Sequence, residues 1–142
     1  MKKDYKEWFK LKPIVNNIEN NIRARTGEIW YCHWGTNVGS EFDGKGQNSI
    51  RPVLIIKKTS PNTFLCIPLT SNGKDLPMYF KLNSFNTKSS IVLDQIRSID
   101  SKRFFRFIEQ VSDKELKNII DKLVHYIKGE TPPNGGESRR SN

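Results

Sequence analysis

Residues 51–70 read RPVLIIKKTSPNTFLCIPLT. Ser60, Pro61 and Asn62 supply turn chemistry between two apolar runs, so residues 51–58 and 63–69 are expected to form an antiparallel hairpin. Val53 to Ile56 is a continuous apolar run, which suits a strand buried on both faces. In such a hairpin the start of one strand adjoins the end of the other. Arg51 and Thr70 should therefore be neighbours.

The flanking sequence extends this sheet. Residues 27–34, GEIWYCHW, are rich in β-formers and predict a strand. Residues 35–49 hold glycines at 35, 39, 44 and 46 among polar residues, and predict a long mobile loop. Loops of about 15 residues are uncommon in compact domains and are usually functional. Further strands are expected at 76–82, 89–93, 95–99 and 104–111, with a polar loop at 83–88 and a short turn at 101–103. Ser112 with Glu115 forms a capping-box signature for a final helix whose apolar face is Leu116, Ile119, Ile120, Leu123, Val124 and Ile127. Near the N-terminus, Trp8, Leu11, Ile14, Val15, Ile18 and Ile22 recur at helical spacing. A helix is expected to begin near Pro13, where the ring suits a first-turn position. Residues 129–142, with Pro132, Pro133, Gly135 and Gly136, are expected to be a disordered tail. Strands outnumber helices, which gives a β-rich α+β class: a small, mostly antiparallel barrel or curled sheet with a C-terminal helix and an extra N-terminal helix. The organisation expected is an N-terminal extension at 1–25, one domain at 26–128, and the tail.

The chain has 142 residues, a formal net charge of +9 and a mean hydropathy of −0.64. An excess of positive charge draws polyanions, nucleic acid above all, although charge alone also fits a domain that merely gains solubility from it. No run approaches the ~20 apolar residues needed to span a bilayer, and the basic N-terminus lacks a signal-peptide core. A cytoplasmic protein with no membrane partner is expected. Cys32 and Cys66 belong to no metal-ligand cluster, so no metal site is expected, and they read as reduced core thiols.

No phosphate loop, HExxH or GxSxG signature is present. The chemistry-bearing candidates lie where the Gly-rich loop meets strand ends. Arg51 precedes Pro52 and is held extended, so it can offer a guanidinium fork to a phosphate. The Thr70 and Ser71 hydroxyls can hydrogen-bond a phosphate or a ribose. Gln95 and Arg97 would share one face of a strand and could read a base edge and a phosphate. Each also has a plainer reading, as a strand-start arginine, a turn pair or a solvated sheet face. His33 and His125 could in principle serve as acid and base, but nothing in the sequence brings them together.

In order, GEIWYCHWG, NVGSE, GKG, RPVLII, FLCIPLTS, SIVLDQIRSIDSKR and the helix starting SDKEL resemble the PemK/MazF family of toxins from bacterial type II toxin–antitoxin systems. The resemblance spans about residues 27–128. It implies an SH3-like antiparallel β-barrel shared with CcdB-type toxins, and a homodimer. It also implies a sequence-specific endoribonuclease that cuts single-stranded RNA without a metal or other cofactor and so inhibits translation and growth. The products would carry 2′,3′-cyclic phosphate and 5′-hydroxyl ends, and a cognate antitoxin would cover the RNA groove. By the same resemblance Arg51 and Thr70 are the catalytic pair. Ser40, Glu41, Lys45, Ser71, Gln95 and Arg97 form the RNA-binding set. Where many members read GSEQ, this chain reads Gly39-Ser40-Glu41-Phe42. The residues alone also admit a CcdB-like non-catalytic toxin, or a basic module that binds RNA without cutting it.

Overall fold

The computed structural model describes residues 2–19, 22–83 and 89–130. The hairpin forms as the sequence predicts. Strand β2 (Ile50–Ser60) pairs antiparallel with β3 (Thr63–Thr70), with Val53 opposite Pro68 and Leu54 opposite Ile67. Strand β1 (Glu28–His33) lies on the other edge of β2, and β7 (Phe104–Gln110) lies outside β1. The short β4 (Tyr79–Lys81) pairs with β5 (Ser90–Val92), and β5 pairs with the end of β3. Strand β6 (Arg97–Asp100) takes the first half of that same β3 edge. Pro68 stands where this edge changes partner from β6 to β5, so its missing N–H breaks no ladder there.

The α+β class is as expected, but the ladder does not close into a complete barrel: the sheet ends at β7 on one side. It must nevertheless curl. In a flat sheet β6 and β7 would stand four strand spacings apart, about 19 Å. Yet only a 3-10 turn at Ser101–Arg103 joins them, a link of roughly 14 Å at full extension.

Strand β2 is central and buried on both faces. Leu54 and Ile56 join Ile29, Ile67, Leu69, Ile91, Ile119 and Leu123 in one core cluster, the one that helix α2 (Asp113–Lys128) covers. Val53 and Ile55 join Cys32, Trp34, Phe64, Cys66, Ile99 and Phe104 in the other. Helix α2 starts at Ser112, whose hydroxyl accepts from Glu115 N at 3.1 Å, and the Glu115 carboxylate accepts from Asn83 N. Gly129 ends the helix in the left-handed region, at φ +73°. Val124 and Ile127, expected on its apolar face, are exposed.

Several expected boundaries change. Helix α1 runs Tyr5–Asn16 and does not begin at Pro13. Asp4 caps it by accepting from Glu7 N at 3.1 Å, and Pro13 falls inside its last turn. The strand expected at 76–82 shrinks to Tyr79–Lys81. The strand expected at 95–99 begins only at Arg97, because Leu93–Gln95 winds into a 3-10 turn seated by buried Leu93. Most of the 83–88 loop and of the 129–142 tail lies outside the described residues. No helix among the described residues is long and apolar enough to cross a membrane.

Candidate active site

The Gly-rich segment is not one open span. Trp34 N donates to Ser49 O at 2.7 Å, Gly44 N donates to Gly35 O at 2.8 Å, and Lys45 bridges Ile50. A Cβ on Gly44 would collide with the Ser49 backbone, so only glycine lets the two ends of this loop close. The closed loop sits over the start of β2, where Arg51 emerges.

Arg51 is only 8 % exposed. Its Nε donates to the Asp43 carbonyl at 2.8 Å and one terminal nitrogen donates to the Leu69 carbonyl at 2.9 Å. The guanidinium lies 4.7 Å above the Phe42 ring centroid. A guanidinium carries five N–H donors. These contacts use two of them and fix its plane. The β2–β3 register, continued two residues beyond Val53 and Pro68, sets Arg51 across from Thr70. Thr70 is 9 % exposed, and its hydroxyl oxygen accepts from Asn72 N at 3.2 Å. The hydroxyl proton can therefore point outward. Arg51 reaches the carbonyl of Leu69, the residue before Thr70, so the two residues stand at the same end of the sheet, each held by a backbone group.

Burial lowers the Arg51 pKa, with Asp43 and Cys32 opposing the shift. Burial likewise lowers those of Arg97 and Arg103. All three guanidinium groups act on Cys32, yet desolvation dominates and pushes its thiol up to about 12. Cys66 is also pushed up, mainly by burial. Both thiols are free and buried, as the sequence reading expects.

Glu41, Gln95 and Arg97 meet in one pocket of about 380 Å³, with Trp34, Asn37, Phe42 and Asp94 among its walls. Their roles there differ from the expectation of two residues on one strand face. Gln95 sits in the 3-10 turn and its side-chain oxygen accepts from Phe42 N at 2.9 Å. Arg97 turns inward, donates to the Trp34 carbonyl at 3.2 Å and lies 4.7 Å over the Trp34 ring. The Glu41 carboxylate accepts from Val38 N at 2.9 Å, which pins the turn that carries Ser40. Ser40 and Lys45 are exposed on the loop outside this pocket, and Ser71 is exposed just beyond Thr70. His33 stacks on Phe105 at 4.6 Å, with Nδ1 2.8 Å from the Asn48 carbonyl. His125 lies on α2, its Nδ1 3.3 Å from the Glu130 carboxylate. The two histidines thus serve separate surroundings. Among the described residues, no group of three or more His, Cys, Asp or Glu side chains is placed to hold a metal ion.

Phe42 and Asp43 are the site residues that the sequence reading missed. Phe42 supplies the ring under Arg51, and Asp43 orients it through a main-chain carbonyl. The departure from GSEQ was the visible signal for Phe42. No side-chain pattern marks a main-chain carbonyl acceptor.

A seven-stranded antiparallel curled sheet, backed by one helix and carrying a backbone-braced arginine near its rim, defines a small basic α+β protein. The chain belongs to the PemK-like, MazF-like toxin family of type II toxin–antitoxin systems, whose profile matches residues 25–127. It is 26 % identical over 110 residues to the endoribonuclease EndoA of Bacillus subtilis (strain 168), covering 70 % of this chain and 90 % of that protein. MazF (Form-I) from Deinococcus radiodurans superposes with a TM-score of 0.61 at 20 % identity, over 77 % of this chain and 99 % of that one. A mycobacterial endoribonuclease solved with its cognate antitoxin gives a TM-score of 0.57 at 14 % identity, over 75 % and 96 %. At these identities the two structures establish likeness of fold.

Proposed function

We propose that this protein is the toxin of a type II toxin–antitoxin pair and a sequence-specific endoribonuclease that cuts single-stranded RNA by attack of a ribose 2′-hydroxyl on the adjacent phosphate, without a metal. The O2′–P bond forms as the P–O5′ bond breaks, which leaves a 2′,3′-cyclic phosphate and a 5′-hydroxyl. Negative charge builds on the non-bridging oxygens in the transition state. Arg51 donates to those oxygens from a plane already fixed by Asp43 and Leu69, so little reorganisation is needed as charge develops. Thr70 donates its hydroxyl to the same phosphate or orients the attacking 2′-hydroxyl. Gln95 and Arg97 hold the walls of the adjoining pocket, with Glu41 beside them, and a base unstacked from single-stranded RNA would seat there. Ser40, Lys45 and Ser71 contact the strand from the exposed rim.

The observation that carries this reading is the braced Arg51 opposite Thr70, on a chain of net charge +9. Family membership supports the reaction class, and the antitoxin-bound relative supports an antitoxin partner. A homodimer belongs to the same reading. The edge strand β7 offers exposed Phe105 and Phe107 as apolar surface for it.

The test is incubation of a long single-stranded RNA with purified protein in EDTA, followed by mapping of cut sites and end groups. Wild-type protein should cut at one short motif. Arg51→Ala and Thr70→Val should each lose about 10²- to 10³-fold in rate with circular dichroism unchanged. Wild-type activity in both folded variants refutes the assignment.

A further inference from the structure

Helix α1 lies before the family-matched segment, which starts at residue 25, and the MazF superposition uses 99 % of that chain but 77 % of this one. Helix α1 therefore lies outside the stretch that the family profile covers. Its contacts converge on the loop that aims Arg51. Lys3 Nζ donates to the Asn37 carbonyl at 2.8 Å and pairs with the Asp43 carboxylate at 3.3 Å. Tyr5 donates its phenolic proton to the same Asn37 carbonyl at 2.7 Å. The Asp43 carboxylate also accepts from Asn37 N at 2.7 Å, while the Asp43 carbonyl accepts from Arg51 Nε. A single residue, Asp43, thus joins Lys3, two residues ahead of α1, to the guanidinium.

The middle and far end of α1 are held as well. Trp8 is 4 % exposed and lies against Gly35, where a Cβ would fall 2.8 Å from the indole and where φ is +102°. Arg103 lies 5.5 Å over the Trp8 ring and donates to the His33 and Trp34 carbonyls, at the start of the loop. Lys102 Nζ donates to Asn16 O at the C-terminal end of α1, where a cation complements the helix dipole. The helix therefore touches the loop at Gly35 through Trp8 and at Asn37 through Tyr5, while Lys3, just ahead of it, reaches Asp43.

We propose that α1 is a built-in strap and Lys3 a positioning residue: through Asp43 they hold the loop in the place that aims Arg51 at the phosphate. The kinetic part of this proposal rests on the ribonuclease reading; the bracing of the loop does not. Because the strap acts on aim and not on grip, its loss should lower kcat more than it raises KM.

The experiment uses the full chain and four variants, Lys3→Met, Lys3→Arg, Trp8→Ala and Phe9→Ser, with amide hydrogen exchange and cleavage of single-stranded RNA as readouts. Lys3→Met and Trp8→Ala should speed exchange at residues 36–44 by about tenfold or more. Both should lower kcat about tenfold with KM within about twofold. Lys3→Arg should restore both readouts, and Phe9→Ser, on the exposed side of α1, should match wild type. Unchanged exchange and kcat in folded Lys3→Met overturn the strap, and so does a rise in KM alone, which would make α1 an RNA-gripping element. If Trp8→Ala fails to fold, Lys3→Met carries the test. If wild-type protein cuts no RNA, the ribonuclease reading falls, and the exchange result still decides whether α1 braces the loop.

Discussion

At the scale of the residue, Arg51 matters for its shape as much as for its charge. Two backbone carbonyls and one ring fix the plane of its fork. A lysine keeps the charge but has no fork and cannot span the Asp43 and Leu69 carbonyls while facing a phosphate. Arg51→Lys should therefore retain RNA binding to within a few-fold and lose about 10²-fold in cleavage, as measured by filter binding beside single-turnover rates. The buried thiols make a second prediction. The Cys32 pKa is raised from 9.0 to about 12 by desolvation, so the folded state holds its proton where the unfolded chain has lost it. Stability from this source is complete below pH 9 and declines as pH rises from 9 toward 12. Native protein at pH 8 should thus react with neither iodoacetamide nor a disulfide reagent, and its thermal midpoint should fall above pH 9. Rapid labelling of the native thiols at pH 8 contradicts the assignment.

At the scale of the element, the hairpin was legible because both of its signals are local: a turn tripeptide and two apolar runs. Antiparallel pairing alone set the expectation that Arg51 and Thr70 are neighbours, and the Arg51 guanidinium reaches the carbonyl of Leu69, the residue before Thr70. Helix α1 was misread for an equally physical reason. Proline favours a first-turn position, but Asp4, with its carboxylate on Glu7 N, starts the helix two turns earlier, and Trp8 and Val15 seat it well enough to tolerate Pro13. Pro13 has no N–H to give the Phe9 carbonyl, which a regular helix would satisfy from that position. Pro13→Ala should then stabilise α1, since proline in a helix interior costs about 3 kcal/mol against alanine. A raised helical signal and thermal midpoint are expected, and a lowered midpoint would show that Pro13 is itself a packing residue. The stretch around Gln95 failed for lack of any local mark. Alternation looks the same in a strand and in a 3-10 turn followed by a strand, and only the burial of Leu93 separates them.

At the scale of the whole molecule, a three-residue link draws the two sides of an open sheet together, and the resulting curl brings the loop, β2 and the end of β3 to one rim. The β-rich class was readable from strand count and turn spacing. Incomplete closure was not, because it depends on which edge β6 selects. Basic charge was readable as a sum, but its distribution was not. Arg97 and Arg103, which look like surface cations in sequence, each turn a terminal nitrogen to the Trp34 carbonyl and brace the loop start from within. The central claim is that a ribose 2′-hydroxyl attacks a phosphate held by Arg51. It is tested most directly by placing a single 2′-deoxynucleotide immediately 5′ of the mapped scissile phosphate in an otherwise unchanged RNA. The account predicts that this RNA binds as the parent does and survives intact at that position. Cleavage there at the parent rate would contradict it.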